Sequence, residues 1–148
     1  MKTGFEKILI AVDKTRYSEM AVHAGFVLAQ NLGARVGLIY VVDVSKEVVS
    51  ADLGITLVQI RSILRDEAEG TIKELIEKYN VSSQTETFIP EGIPEKEIIK
   101  ASIDWNADVI VMGTHGRSAI GKILTGSVAE YVIRHAVVPV YIIPPRME

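Results

Sequence analysis

The chain has 148 residues, 48% hydrophobic and 24% charged, the proportions of one ordinary globular domain with a single core. A formal net charge of −3 argues against a general nucleic-acid or membrane-surface binder, and the absence of cysteine removes disulfides, thiolate metal sites and cysteine nucleophiles together. The opening residues lack the apolar stretch of a secretory signal, and no apolar run reaches the ~20 residues of a membrane helix, so a cytoplasmic protein is expected.

Strand and helix patterns alternate along the chain. Lys7 to Asp13 is a nearly continuous apolar run, as expected of a strand buried on both faces of a parallel sheet. Ala21, Ala24, Val27, Leu28 and Leu32 then recur at helical spacing, and Gly33 suits the position just past a helix end. Val36 to Val42 reads as a second buried strand. Ser45 to Thr56 fits either a loop or a ragged helix start. Leu57, Ile60, Leu64, Ala68, Ile72, Leu75, Ile76 and Tyr79 keep a 3.6-residue stripe, predicting a long second helix that ends near Asn80.

Thr85 to Ile89 is a more polar third strand, expected near an edge. Pro94 in a first turn, with Glu95 and Glu97 behind it, opens a third helix to about Asp104. Asp108 to Met112 is the fourth strand. Ser127 opens the fourth helix, where Ser127-Val128-Ala129-Glu130 spells a capping box. Val137 to Ile143 is the fifth strand. The expected fold is α/β: a single open, doubly wound five-stranded parallel sheet of order 3-2-1-4-5 with helices on both faces. Ligands in such sheets sit outside the carboxyl ends of the strands where the winding reverses. Asp13 and Gly113 end the two strands at that switch.

The stretch from Asp108 to Val128 carries the functional signal. Gly113 ends a buried strand, Gly116 follows, and a longer excursion closes at Gly126-Ser127 where a helix starts. Glycines let backbone amides approach an anion, and a helix N-terminus offers unpaired N–H groups with partial positive charge. The two together read as a phosphate cradle. Gly116 to Ile123 nearly spells a Walker loop, but Ile123 stands where Mg²⁺ needs a Ser or Thr. Gly113-Thr114-His115-Gly116 is not a Rossmann fingerprint, and no G-x-G follows the first strand.

What remains is G-x₂-G-x₉-G-S, read from Gly113, Gly116, Gly126 and Ser127. Together with Ala11-Val12-Asp13, Tyr17-Ser18-Glu19, Tyr40-Val41-Val42-Asp43 and the terminal Val138-Pro139-Val140 strand, it makes the chain resemble the universal stress protein family, and its ATP-binding branch in particular, over essentially its whole length. The resemblance implies ATP, or another adenine nucleotide, with Mg²⁺. It places the phosphates on the amides of Gly116, Arg117, Gly126, Ser127 and Val128. Gly113 would let the ribose-phosphate pass close to the fourth strand, beside Ala11 and Val12. Asp13 would hold the ribose and the metal, the Val41 backbone would read the adenine edge, and Met112 would contact the nucleoside. Asp13 also suits a plain cap of the turn after the first strand. Lys14 and Arg16 depart from the family pattern; Arg16 reads as solvated, and Lys14 is open between phosphate contact and solvent.

His115 has no acidic neighbour at a spacing that would orient it as a base. His23 and His135 lack metal-ligand spacing, and Trp105 reads as a packing anchor at a helix end. Val137 to Ile143 is an apolar edge strand, which needs covering or pairing; the resemblance implies a homodimer through it. The expected function is a nucleotide-gated regulator in stress response with a signalling partner, ATP ordering the loop from Thr114 to Thr125. The alternatives are a slow ATPase or adenylyl-transferring enzyme, and an interaction module that uses the fold without nucleotide.

Overall fold

Residues 4–44, 54, 56–79, 85–114 and 126–145 are described by the computed structural model. The apolar runs form strands because their alternate side chains can be buried on opposite faces of one sheet. Strands β1 (Lys7–Ala11), β2 (Arg35–Ile39), β4 (Glu86–Phe88), β6 (Val109–Gly113) and β7 (Val140–Ile143) make a parallel sheet of order β4-β2-β1-β6-β7. Counting only these strands, the order is the expected 3-2-1-4-5. A second, two-stranded piece pairs β3 (Val42–Asp43) with β5 (Glu91–Gly92).

Helices α1 (Arg16–Leu32) and α2 (Leu57–Lys78) cover one face, and α3 (Pro94–Asp104) and α4 (Ser127–His135) the other. Ile8 and Ile10 of β1 and Val109 and Val111 of β6 meet Ala21, Val22 and Ala29 of α1 and Ile72 and Leu75 of α2. Leu9, Ile110 and Met112 point the opposite way, toward Ile98 of α3 and Ala129 and Val132 of α4. The winding therefore reverses between β1 and β6, the neighbours at the centre of the sheet.

The second strand is shorter than its apolar run suggests. Val36 to Val42 is interrupted at Tyr40 and Val41, although pairing resumes in the same register, Ile39 opposite Phe88 before the gap and Val42 opposite Glu91 after it. The cause is Pro90, which has no N–H to give the ladder. Tyr40 N–H still donates to Phe88 O and Val42 N–H to Pro90 O, at 2.9 and 2.8 Å. The last strand is shortened likewise. Pro139 accepts from Ile110 N–H at 3.0 Å but donates nothing, and the strand begins at Val140 rather than at Val137.

One helix start carries a capping box that the sequence reading did not name, and another lacks the box expected of it. Thr56 and Gln59 form a reciprocal capping box on α2, with Gln59 N–H donating to Thr56 Oγ1 (3.2 Å) and Thr56 N–H to Gln59 Oε1 (2.9 Å). The box read at Ser127 and Glu130 does not form. Gly126 takes the cap position at φ 81°, a conformation that favours glycine, so Ser127 becomes the first helical residue, and the Glu130 carboxylate pairs with Arg134 at 2.8 Å. At the end of α1, Gly33 adopts φ 64° as expected.

Trp105 behaves as the anchor its position suggests. It is 9% exposed, meets Phe88 edge-to-face at 5.7 Å between ring centroids, and lies under the Lys7 ammonium. Its indole Nε1 is buried without a partner among the described residues.

Candidate functional site

A cleft of about 360 Å³ opens at the carboxyl ends of β1, β2 and β6, at the reversal of winding. Its size falls within the range of small-molecule sites. Ala11, Val12, Asp13, Val41, Met112, Gly113 and Val128, widely separated in the chain, all line it. Gly126 and Ser127 immediately precede Val128 at the start of α4 but are not wall residues. Gly116 and Arg117 lie outside the described residues, as do His115 and most of the loop between Thr114 and Thr125.

Asp13 organises the β1–α1 turn. Its Oδ1 accepts from Thr15 N–H at 2.8 Å, from the Thr15 hydroxyl at 2.5 Å and from the Ser18 hydroxyl at 2.9 Å, while its own N–H donates to Ser18 Oγ at 2.5 Å. The turn-capping role weighed for Asp13 is thus realised in full. Ser18 is buried and completes this knot; the sequence displayed it in Tyr17-Ser18-Glu19 without indicating its partner.

Gly113 has a packing reason to lack a side chain. A Cβ there would stand 2.9 Å from the backbone oxygen of Tyr17 and 3.3 Å from its Cβ. The first turn of α1 crosses the end of β6 so closely that glycine is required before any ligand is considered.

At the opposite wall, β1 has turned away where β2 continues. Val12 N–H makes its bond to Ile39 O (2.9 Å), and Tyr40 and Val42 turn their N–H groups toward Phe88 and Pro90. Backbone groups of successive residues point to opposite sides of a parallel strand, so the N–H and C=O of Val41 face the cleft. No backbone bond engages them among the described residues. At the helix wall, the first intrahelical bond of α4 runs from Glu130 N–H to Gly126 O at 3.0 Å, leaving the amides of Ser127, Val128 and Ala129 ahead of it.

The walls between these polar ends are apolar, formed by Ile39, Met112 and Ile98 with Leu64 of α2. The charged members are Asp13, Asp43, Glu67 and Lys14. Glu67 pairs with Lys14 at 3.2 Å. Tyr40 stands among them: burial first, then the negative charges of Glu67 and Asp13, push its phenol up to about 12. Leu64 and Glu67 escaped the sequence reading because a helical stripe shows which residues are apolar, not which strand end the helix lies over. Among the described residues, no three acidic or histidine side chains gather as a metal site.

Residues 4–144 match the universal stress protein family. The chain belongs to that family. A universal stress protein of Methanocaldococcus jannaschii is 36% identical over 148 aligned residues, covering 97% of this chain and 85% of that one. A second from the same organism is 27% identical over 97% of each chain, and its solved structure superimposes with a TM-score of 0.82. A universal stress protein solved in complex with cAMP shares the fold at a TM-score of 0.71 and 21% identity, over 95% of this chain and 98% of that one. No helix among the described residues is long and apolar enough to cross a membrane.

Proposed function

We propose that this universal stress protein binds ATP, or another adenine nucleotide, in the cleft at the switch point and works as a nucleotide-gated regulatory homodimer. The observation that carries the reading is the pairing, across one apolar cleft, of two backbone surfaces that no backbone bond engages among the described residues. The amide and carbonyl of Val41 match the edge of a flat base, and the leading amides of α4, at its positive end, match phosphate. The cAMP complex of a protein with this fold supports an adenine nucleotide as a ligand the architecture can hold.

In this reading Met112, Ile39 and Ile98 give the nucleoside its apolar surroundings, next to Ala11 and Val12. The Asp13 carboxylate serves the ribose, and the amides of Ser127 and Val128 take phosphate oxygens together with Gly126, Gly116 and Arg117. Mg²⁺ binding near Asp13 would rest mainly on the phosphates, because Oδ1 already accepts three donors and magnesium is commonly held by one or two carboxylates plus substrate. The apolar edge strand, with Tyr141 46% exposed and Val137 just before it 71% exposed, supports pairing with a second copy.

Calorimetry on nucleotide-stripped protein tests the reading. Mg-ATP should give saturable heat, which Gly126→Val should largely remove while circular dichroism still reports a folded chain. No heat with the unaltered protein, and no nucleotide retained on purification, would sink it.

A further inference from the structure

Lys14 is the one cationic side chain among the described residues lining the cleft, where it stands with three carboxylates, Asp13, Asp43 and Glu67. It follows Asp13 in the turn after β1, while Glu67 projects from α2, so their 3.2 Å contact joins two separate walls. The pair is half open to water, with 66% of the Lys14 side chain and 33% of the Glu67 side chain exposed. Such ion pairs are weak and readily exchanged, because water solvates either partner when they part.

We propose that Lys14 and Glu67 are an exchangeable pair through which the cleft distinguishes polyphosphorylated nucleotides from the bare nucleoside: phosphate takes Lys14 from Glu67. The inference rests on the nucleotide reading above and adds the residue that selects for phosphate. A polyphosphate presents more negative charge and more acceptor oxygens than one carboxylate, so it competes favourably for a single ammonium. A nucleoside has nothing to offer Lys14 and leaves the pair intact. Glu67 sets the threshold, because its own charge opposes an incoming phosphate and its contact holds Lys14 back.

The carboxylate that loses its partner keeps access to water, with 33% of its side chain exposed. Tyr40 stands beside it, its phenol raised first by burial and then by the charges of Glu67 and Asp13. The exchange therefore does not strand a negative charge against an apolar wall. The four residues come from the β1–α1 turn, the end of β2 and the middle of α2, which explains why the open status of Lys14 in the sequence could not be resolved there.

The test is a double-mutant cycle read by titration calorimetry with Mg-ATP and, separately, adenosine, on Lys14→Met, Glu67→Gln and the double variant. Lys14→Met should weaken Mg-ATP about tenfold, as for loss of a charge-assisted contact, and leave adenosine within about twofold. Glu67→Gln should tighten Mg-ATP about threefold, and that gain should vanish in the Lys14→Met background. An equal gain in both backgrounds would mean simple repulsion by Glu67 and would overturn the exchange. So would a Lys14→Met loss shared equally by adenosine. Binding of neither ligand to the unaltered protein would instead remove the nucleotide reading itself, and the exchange with it.

Discussion

Replacing Gly113 by alanine separates a glycine required by packing from one required by a ligand. The new Cβ would lie 2.9 Å from the Tyr17 carbonyl oxygen, 3.3 Å from Tyr17 Cβ and 3.4 Å from its carbonyl carbon. Relief needs a shift of a few tenths of an ångström, and neither side moves cheaply. β6 is bonded to β1 on one flank and β7 on the other, and the first turn of α1 is tied to Asp13 through Ser18 and Thr15. Overpacking against backbone costs about 1–3 kcal/mol, partly offset by the ~0.8 kcal/mol of one buried methyl group. At about 2–4 °C per kcal/mol for a chain of this size, the ligand-free protein should lose about 4 °C in Tm at the middle of these ranges. Gly70→Ala supplies the opposite sign. It lies in the interior of α2 with nothing within 4 Å of an added Cβ, so it should gain about 0.5–1 kcal/mol. Thermal melts and urea titrations of both variants without nucleotide provide the measurement. An unchanged midpoint for Gly113→Ala would refute the packing argument and return the glycine to a purely ligand-facing role.

Asp13→Ala should destabilise the ligand-free protein by about 1–2 kcal/mol, because three donors in the first turn lose their acceptor, while Asp13→Asn keeps an acceptor oxygen and should cost markedly less; urea unfolding compares the two. Tyr40 should titrate near pH 12 by ultraviolet difference absorbance, and Tyr40→Phe should delete that step. Since the unfolded chain releases this proton near pH 10 and the folded chain only near 12, the group's contribution to stability is present below pH 10 and lost as pH rises toward 12. A Tyr40 titration near 10 would contradict its burial beside Glu67 and Asp13. Tyr141→Lys, on the outer edge of the sheet, should raise the dissociation constant of the proposed homodimer at least about tenfold in sedimentation experiments, since a charge without a partner is costly at a strand pairing. A monomeric unaltered protein would remove the dimer.

Apolar runs alternating with helical stripes were enough to give the fold class, because such patterns are local properties, and the right-handed winding of open α/β sheets then gave the expected strand order and the switch point. Pro94 and Gly33 likewise announced helix ends through their own backbone preferences. The resemblance carried by the glycine motif and the strand ends named the family. Tertiary structure decided what local patterns leave degenerate. Ser127-x-x-Glu130 and Thr56-x-x-Gln59 both spell a capping box, yet only the second forms, since Gly126 and Arg134 supply the first with other geometry and another partner. Pro90, some fifty residues from Tyr40, divides the β2 run because the ladder needs a donor from across the sheet. Asp13 bonds within its own turn, whereas the Lys14–Glu67 contact joins elements far apart in the chain, and charge type and spacing cannot show which helix lies over which strand end.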